Sequence, residues 1–189
     1  KIRVSKVNIV GNVHLKSANI VKVLGTKPSW LFNLGIFKEE VLEEDVDKVK
    51  YLYDDIGYLD VEVTPKLDYS EDGTQLFVTF NISEGKQYLV GIISIAGNTV
   101  LPEKDIRSKI KMKSGKPISR RELRDDILAI RDLYNMHGYM HDVVDVEKNV
   151  NSATSSMDIN YTIDPKEVIY VCKVIIRGNT KTREIIIRR

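Results

Sequence analysis

His137 and His141 stand four residues apart, with Asp142 and Asp145 close behind. On one helix face that spacing would present two imidazoles to a metal such as zinc. Gly138 falls between them and should end any helix there, so the spacing loses its meaning. His137 also matches Ile56, an apolar stripe position elsewhere in the chain, and it reads as a partly buried or solvated histidine. Glu39, Glu40, Glu43, Glu44 and Asp45 could supply paired carboxylates for acid–base work. No nucleophile–base set accompanies them, and they read as the solvated face and acidic first turn of a helix, favoured by its dipole. Asp45 and Asp126 hold matched positions on two helices and are expected to make a local structural hydrogen bond near the following strand. No phosphate-cradling glycine loop occurs. The residues therefore point to binding and not to catalysis, with no catalytic, metal or cofactor residues assigned and no cofactor expected.

The 189 residues are 42% hydrophobic and 30% charged, an ordinary globular composition. The 29 basic and 27 acidic residues give a formal charge of +2. Such a balance provides neither a basic face for a phosphate backbone nor a polybasic membrane patch. A βααβ nucleic-acid module would need a basic stripe and a backbone-clamping glycine loop, so no nucleic-acid partner is expected. Cys172 is the only cysteine; it cannot form an internal disulfide and reads as a small buried strand residue. No apolar run is long enough to span a membrane as a helix, and no signal peptide opens the chain. Both ends read as cut points in a longer protein.

The positioning elements repeat. An alternating apolar segment ending in Gly-Asn occurs at Gly11-Asn12, Gly97-Asn98 and Gly178-Asn179, and a Gly-Tyr pair occurs at Gly57-Tyr58 and Gly138-Tyr139. The second and third Gly-Asn pairs are 81 residues apart, as are the Gly-Tyr pairs; the first and second Gly-Asn pairs are 86 apart. The extra five residues lie between Leu24 and Lys38, where 13 residues replace the 8 between Ile110 and Ser119. With that offset Leu42, Val46, Val49, Leu52 and Tyr53 match Leu123, Ile127, Ile130, Leu133 and Tyr134. Val63 and Pro65 likewise match Val144 and Val146.

Each copy reads as β-α-α-β-β. Residues 4–10 alternate as a strand, residues 16–24 form a short helix, and residues 39–56 carry the apolar stripe of a longer one. Ser119 followed by Glu122 is a capping box, and Gly57 and Gly138 suit helix ends. Residues 60–69 and 75–82 read as a hairpin turning at Asp72-Gly73. Pro65 cannot donate a ladder hydrogen bond, so its strand belongs at a sheet edge, and an open edge can accept another strand. The insertion at residues 28–37 holds Trp30, Phe32, Leu34 and Phe37 as a candidate contact loop. It reads equally as extra core or as an apolar contact surface.

These features together resemble POTRA domains, the polypeptide-transport-associated repeats of outer-membrane assembly and secretion factors. The residues that carry the resemblance are the Gly-Asn after the first strand and the Asp45 and Asp126 helices running into Tyr53 and Tyr134. The Gly-Tyr pairs and the Ile-x-Glu-Gly at residues 82–85 add to it. The terminal run from Gly178 to Arg189 looks like the opening of another repeat in the BamA-like group. Asp164-Pro165 replaces Glu84-Gly85 and reads as a conservative loop change. The resemblance implies an α+β fold of tandem repeats, each with two helices on a three-stranded mixed sheet. The boundaries expected are residues 1–88, 89–170 and a truncated third copy at 171–189. It further implies a periplasmic location, attached to the outer membrane through a C-terminal β-barrel beyond Arg189. Unfolded outer-membrane proteins, accessory assembly lipoproteins and neighbouring POTRA repeats are the implied partners. Strand addition would occur at the edges formed by residues 60–69 and 141–150, at Val61, Val63, Pro65, Leu67, Val144, Val146 and Lys148. A two-partner secretion or TamA-like transporter is the alternative within the same family.

Overall fold

The computed structural model of the chain describes residues 2–29, 35–139, 144–165 and 168. Two copies of one unit follow each other. The first comprises β1 (Arg3–Val10), α1 (Ser17–Val23), α2 (Glu39–Asp54), β2 (Glu62–Tyr69) and β3 (Gln75–Ser83). The second comprises β4 (Leu89–Ala96), α3 (Glu103–Arg107), α4 (Arg120–Asn135), β5 (Val144–Asn151) and β6 (Ser156–Ile163). The expected third copy, Cys172, Trp30, Phe32, Leu34 and His141 lie outside the described residues.

In each copy the last strand is central. The sheet orders are β1-β3-β2 and β4-β6-β5, with the first strand parallel and the second antiparallel to the centre. The parallel pairings slip by a residue between Val4 and Lys6 and again between Val90 and Ile93. The repeat is therefore preserved down to its irregularities. Each copy has its own core. Ile20, Val49, Tyr53, Val78 and Phe80 match Ile106, Ile130, Tyr134, Ile159 and Tyr161, and all ten are fully buried. Each such aliphatic side chain contributes roughly 1.5–3 kcal/mol.

Local signals set the boundaries. Ser119 Oγ accepts the Glu122 backbone N–H and starts α4. Lys38 opens α2 with no side-chain cap, leaving Glu39 and Glu40 to complement the helix dipole. Gly11 has a φ of +87°, and a Cβ there would come within 2.0 Å of the Ile82 carbonyl oxygen. Only glycine meets both demands, which explains half of the Gly-Asn motif. Asn12 explains the rest: its Nδ2 donates to the Leu15 carbonyl and to Ser17 Oγ, tying the turn to α1.

Candidate functional site

A binding site on such a unit needs a surface that its own chain leaves open. The first strands do not provide it. Ser29 N–H donates to the Val4 carbonyl, Val4 N–H to the Gly35 carbonyl, and Phe37 N–H to the Ile2 carbonyl. The inserted loop thus lines the start of β1, and Phe37 packs partly buried on the first core. In the second copy Gly115 and Val90, then Val90 and Lys116, bond in the same way beside β4. The second strands differ: among the described residues β2 and β5 pair on one side only, as Pro65 predicts for its strand.

The hydrogen-bond phase of these edges can be worked out. Ser70 N–H donates to the Gln75 carbonyl, which makes alternate β2 residues, through Glu62, the bonded partners of β3. The intervening residues Val63, Pro65, Leu67 and Tyr69 turn their backbone groups away from the sheet. Pro65 therefore marks the edge and also removes a donor from its middle, which blunts strand addition. Its counterpart Val146 keeps its N–H, which donates to the Asp145 carboxylate at 2.8 Å. One edge has lost the donor; the other covers it with an exposed side chain.

The structure places the expected binding residues as follows. Val61 precedes β2 and is buried, as are Val63 and Val144. Pro65, Leu67 and Val146 are half-buried on the helix-facing side, while Lys148 is exposed. Their side chains thus serve the core or the helix–strand groove, and only their backbone groups face outward.

The copies meet through a polar joint that the spacing of motifs had not revealed. Tyr88 N–H donates to the Gly57 carbonyl at 2.7 Å, and Ile118 N–H donates to the Tyr88 carbonyl. Tyr88 Oη donates to Asp60 Oδ2, and Gln87 Nε2 to the Ile56 carbonyl. Gly57, at a φ of +88°, leaves no room for a Cβ, which would lie 2.7 Å from the Tyr88 oxygen. Arg121 pairs with Asp55 at 2.7 Å, and Arg120 pairs with Asp54 and lies over the Tyr51 ring. Burial pushes the Asp54 carboxyl up, and Arg120 partly offsets this. Leu59 of the first copy packs against the second core. Beside this joint, a cavity of about 550 Å³ opens between α4, Lys148 of β5 and the end of α2.

Asp45 and Asp126 are fully buried and structural, and both take their backbone donors from the preceding loop. Asp45 accepts from the Gly25 and Thr26 amides at 2.6 and 2.7 Å. Asp126 accepts from the matching Lys111 and Met112 amides. The third donor changes with the copy: Lys48 Nζ for Asp45, Tyr161 Oη for Asp126. Burial alone would raise the Asp45 carboxyl, but these amides hold it below its usual range.

Glu84 corrects a reading made from sequence. By the hairpin register it matches Pro165, with Ser83 matching Asp164. The change is not conservative. Glu84 accepts from the Val13 and His14 amides, His14 Nδ1 lies 2.6 Å from Oε2, and Tyr53 Oη donates to Oε1 at 2.8 Å. Burial works to raise Glu84, but the His14 contacts lead the bonds that hold it low. With proline in place of this acceptor, the buried Tyr134 hydroxyl has no acceptor among the described residues, and only the Leu101 backbone amide interacts with it. His137 is exposed, its Nδ1 lying 2.8 Å from the Leu133 carbonyl. Among the described residues no cluster of three potential metal ligands forms.

The sequence model of POTRA, described as a surface antigen variable number repeat, matches residues 2–85 and 88–166. The chain belongs to the POTRA family. It is 26% identical over 198 residues to the outer membrane protein assembly factor BamA of Nitratidesulfovibrio vulgaris, covering 100% of this chain and 25% of that protein. It is 29% identical over 163 residues to BamA of Neisseria meningitidis, covering 85% of this chain and 20% of the relative. It thus spans about a quarter or less of the length of these curated relatives. The crystal structure of Haemophilus influenzae BamA POTRA3-5 superposes with a TM-score of 0.69 at 18% identity, over 99% of this chain and 75% of that one. The two units are POTRA repeats of a BamA-like protein. No helix among the described residues is long and apolar enough to cross a membrane.

Proposed function

We propose that this POTRA pair is a periplasmic binding scaffold of an outer-membrane β-barrel assembly factor. It holds extended segments of unfolded clients or accessory lipoproteins by strand addition, next to neighbouring repeats and a barrel carried elsewhere in the protein. The similarity to outer membrane protein assembly factors supports the setting. One observation carries the mechanism: the chain's own loops line the start of β1 and β4, while among the described residues β2 and β5 pair on one side only. Backbone hydrogen bonds at such an edge give affinity with little demand on sequence, which suits a module that handles many β-rich clients.

Site-specific crosslinkers in the full-length protein test this, placed at the exposed residues Thr64, Lys66, Glu147 and Lys148 on the edges and at Val21 and Leu128 on the helices. The expected result is capture of clients or accessory proteins from the edge positions. Capture from the helical positions alone would overturn the reading.

A further inference from the structure

The two copies carry opposite charge on the same part of the repeat. Glu39, Glu40 and Glu43 of α2 match Arg120, Arg121 and Arg124 of α4, and Leu67 of β2 matches Lys148 of β5. In the first copy the glutamates line a shallow hollow at the start of α2. In the second the arginines and Lys148 line the cavity of about 550 Å³ between helix and edge strand, over Leu123 and Ile127.

Helix dipoles favour carboxylates, not arginines, at a first turn, so the second copy holds its cationic start against local preference. Part of this is explained by the joint, where Arg120 and Arg121 pair with Asp54 and Asp55. The rest is not. Arg124 and Lys148 are exposed and form no ion pair among the described residues. Lys148 has the outward phase of Val146, so its backbone groups face the open edge while its side chain stands on the groove side. A strand laid along β5 would turn alternate side chains into this groove, between Arg124 and Lys148.

We infer that the β5 groove selects acidic extended peptide segments, whose carboxylates meet Arg124 and Lys148 while the backbone pairs with β5. The inference rests on the strand-addition reading above and adds a charge preference confined to the second copy. Lost Coulomb attraction and like-charge contact both penalise a basic strand at this place.

The test uses the intact two-repeat chain with three short peptides in which valine alternates with aspartate, serine or lysine. Binding is titrated, and amide hydrogen exchange locates it. The aspartate peptide is expected to protect the outward amides of β5 and to bind at least about tenfold more tightly than the lysine peptide, a difference of about 1.4 kcal/mol. Arg124→Glu combined with Lys148→Glu should reverse that order. The exposed single variants Arg124→Gln and Lys148→Gln should each narrow it, which keeps the test open if the reversal variant misfolds. Equal protection of β5 by all three peptides would sink the charge preference and leave strand addition standing. Tight binding of the aspartate peptide without protection of β5 would sink both. A response of Arg124 and Lys148 to nucleic acid or anionic vesicles, with none to the aspartate peptide, would also overturn the inference.

Discussion

Tyr53 and Tyr134 occupy the same place in the two repeats, and both are fully buried. The first donates to Glu84; the second has no acceptor among the described residues and only the Leu101 amide beside it. The second copy keeps the side-chain volume, because core packing needs the ring, but loses the acceptor that the hydroxyl requires. Packing and polar satisfaction are therefore separate demands on one position. The same separation holds for Asp45 and Asp126, where the two loop amides are constant and the third donor changes.

Removing the buried aspartates should have the largest effect. Asp126→Ala leaves two backbone amides and the Tyr161 hydroxyl without an acceptor, and should cost the second copy about 4 kcal/mol. Asp45→Ala should cost the first copy about 3 kcal/mol, since Lys48 can return its ammonium to water. Hydrogen exchange of each copy's own core amides separates the two losses; an equal or reversed order would break the comparison. Glu84→Gln should cost the first copy about 2 kcal/mol by weakening its bonds to His14, Val13 and Tyr53.

That substitution should also change the response to acid. Glu84 and Asp45 are held below their ordinary values. Their contribution is fully present above the unfolded carboxylate pKa and is lost as pH falls through the lower folded values. Denaturation across the range below the ordinary glutamate value of 4.5 should show the first copy losing stability, and less steeply in Glu84→Gln. The second copy has no glutamate at that position to titrate.

Smaller effects sharpen the tyrosine pair. Tyr53→Phe should cost about 1 kcal/mol, whereas Tyr134→Phe, which gives up only the Leu101 amide, should cost less. A matching loss at Tyr134 would break the comparison by showing that its hydroxyl has an acceptor as good as Glu84. A small effect is also expected at the joint: Arg121→Ala should cost under about 1 kcal/mol, because its guanidinium is largely solvated. Rotational diffusion of the two copies by NMR would show whether that pair restrains their motion.

Much of the fold was legible in the sequence because the apolar period, the glycines and the turn residues act locally. The 81-residue register alone places Leu42 against Leu123 and Ile82 against Ile163. Pro65 marked an edge strand for the same reason: a missing N–H is a property of the residue itself. The Asp54–Arg120 and Asp55–Arg121 pairs were not legible, since both partners read as ordinary surface charge and lie 66 residues apart. Nor was the meaning of Glu84, which depends on donors some 30 and 70 residues away. What the sequence by itself determined was the repeat, its β-α-α-β-β order and the strand that carries the edge. Only the tertiary structure decided which backbone groups face outward at Pro65 and Val146, and which charges converge beside β5. Those outcomes depend on hydrogen-bond phase and on distances across the chain, which no local pattern encodes.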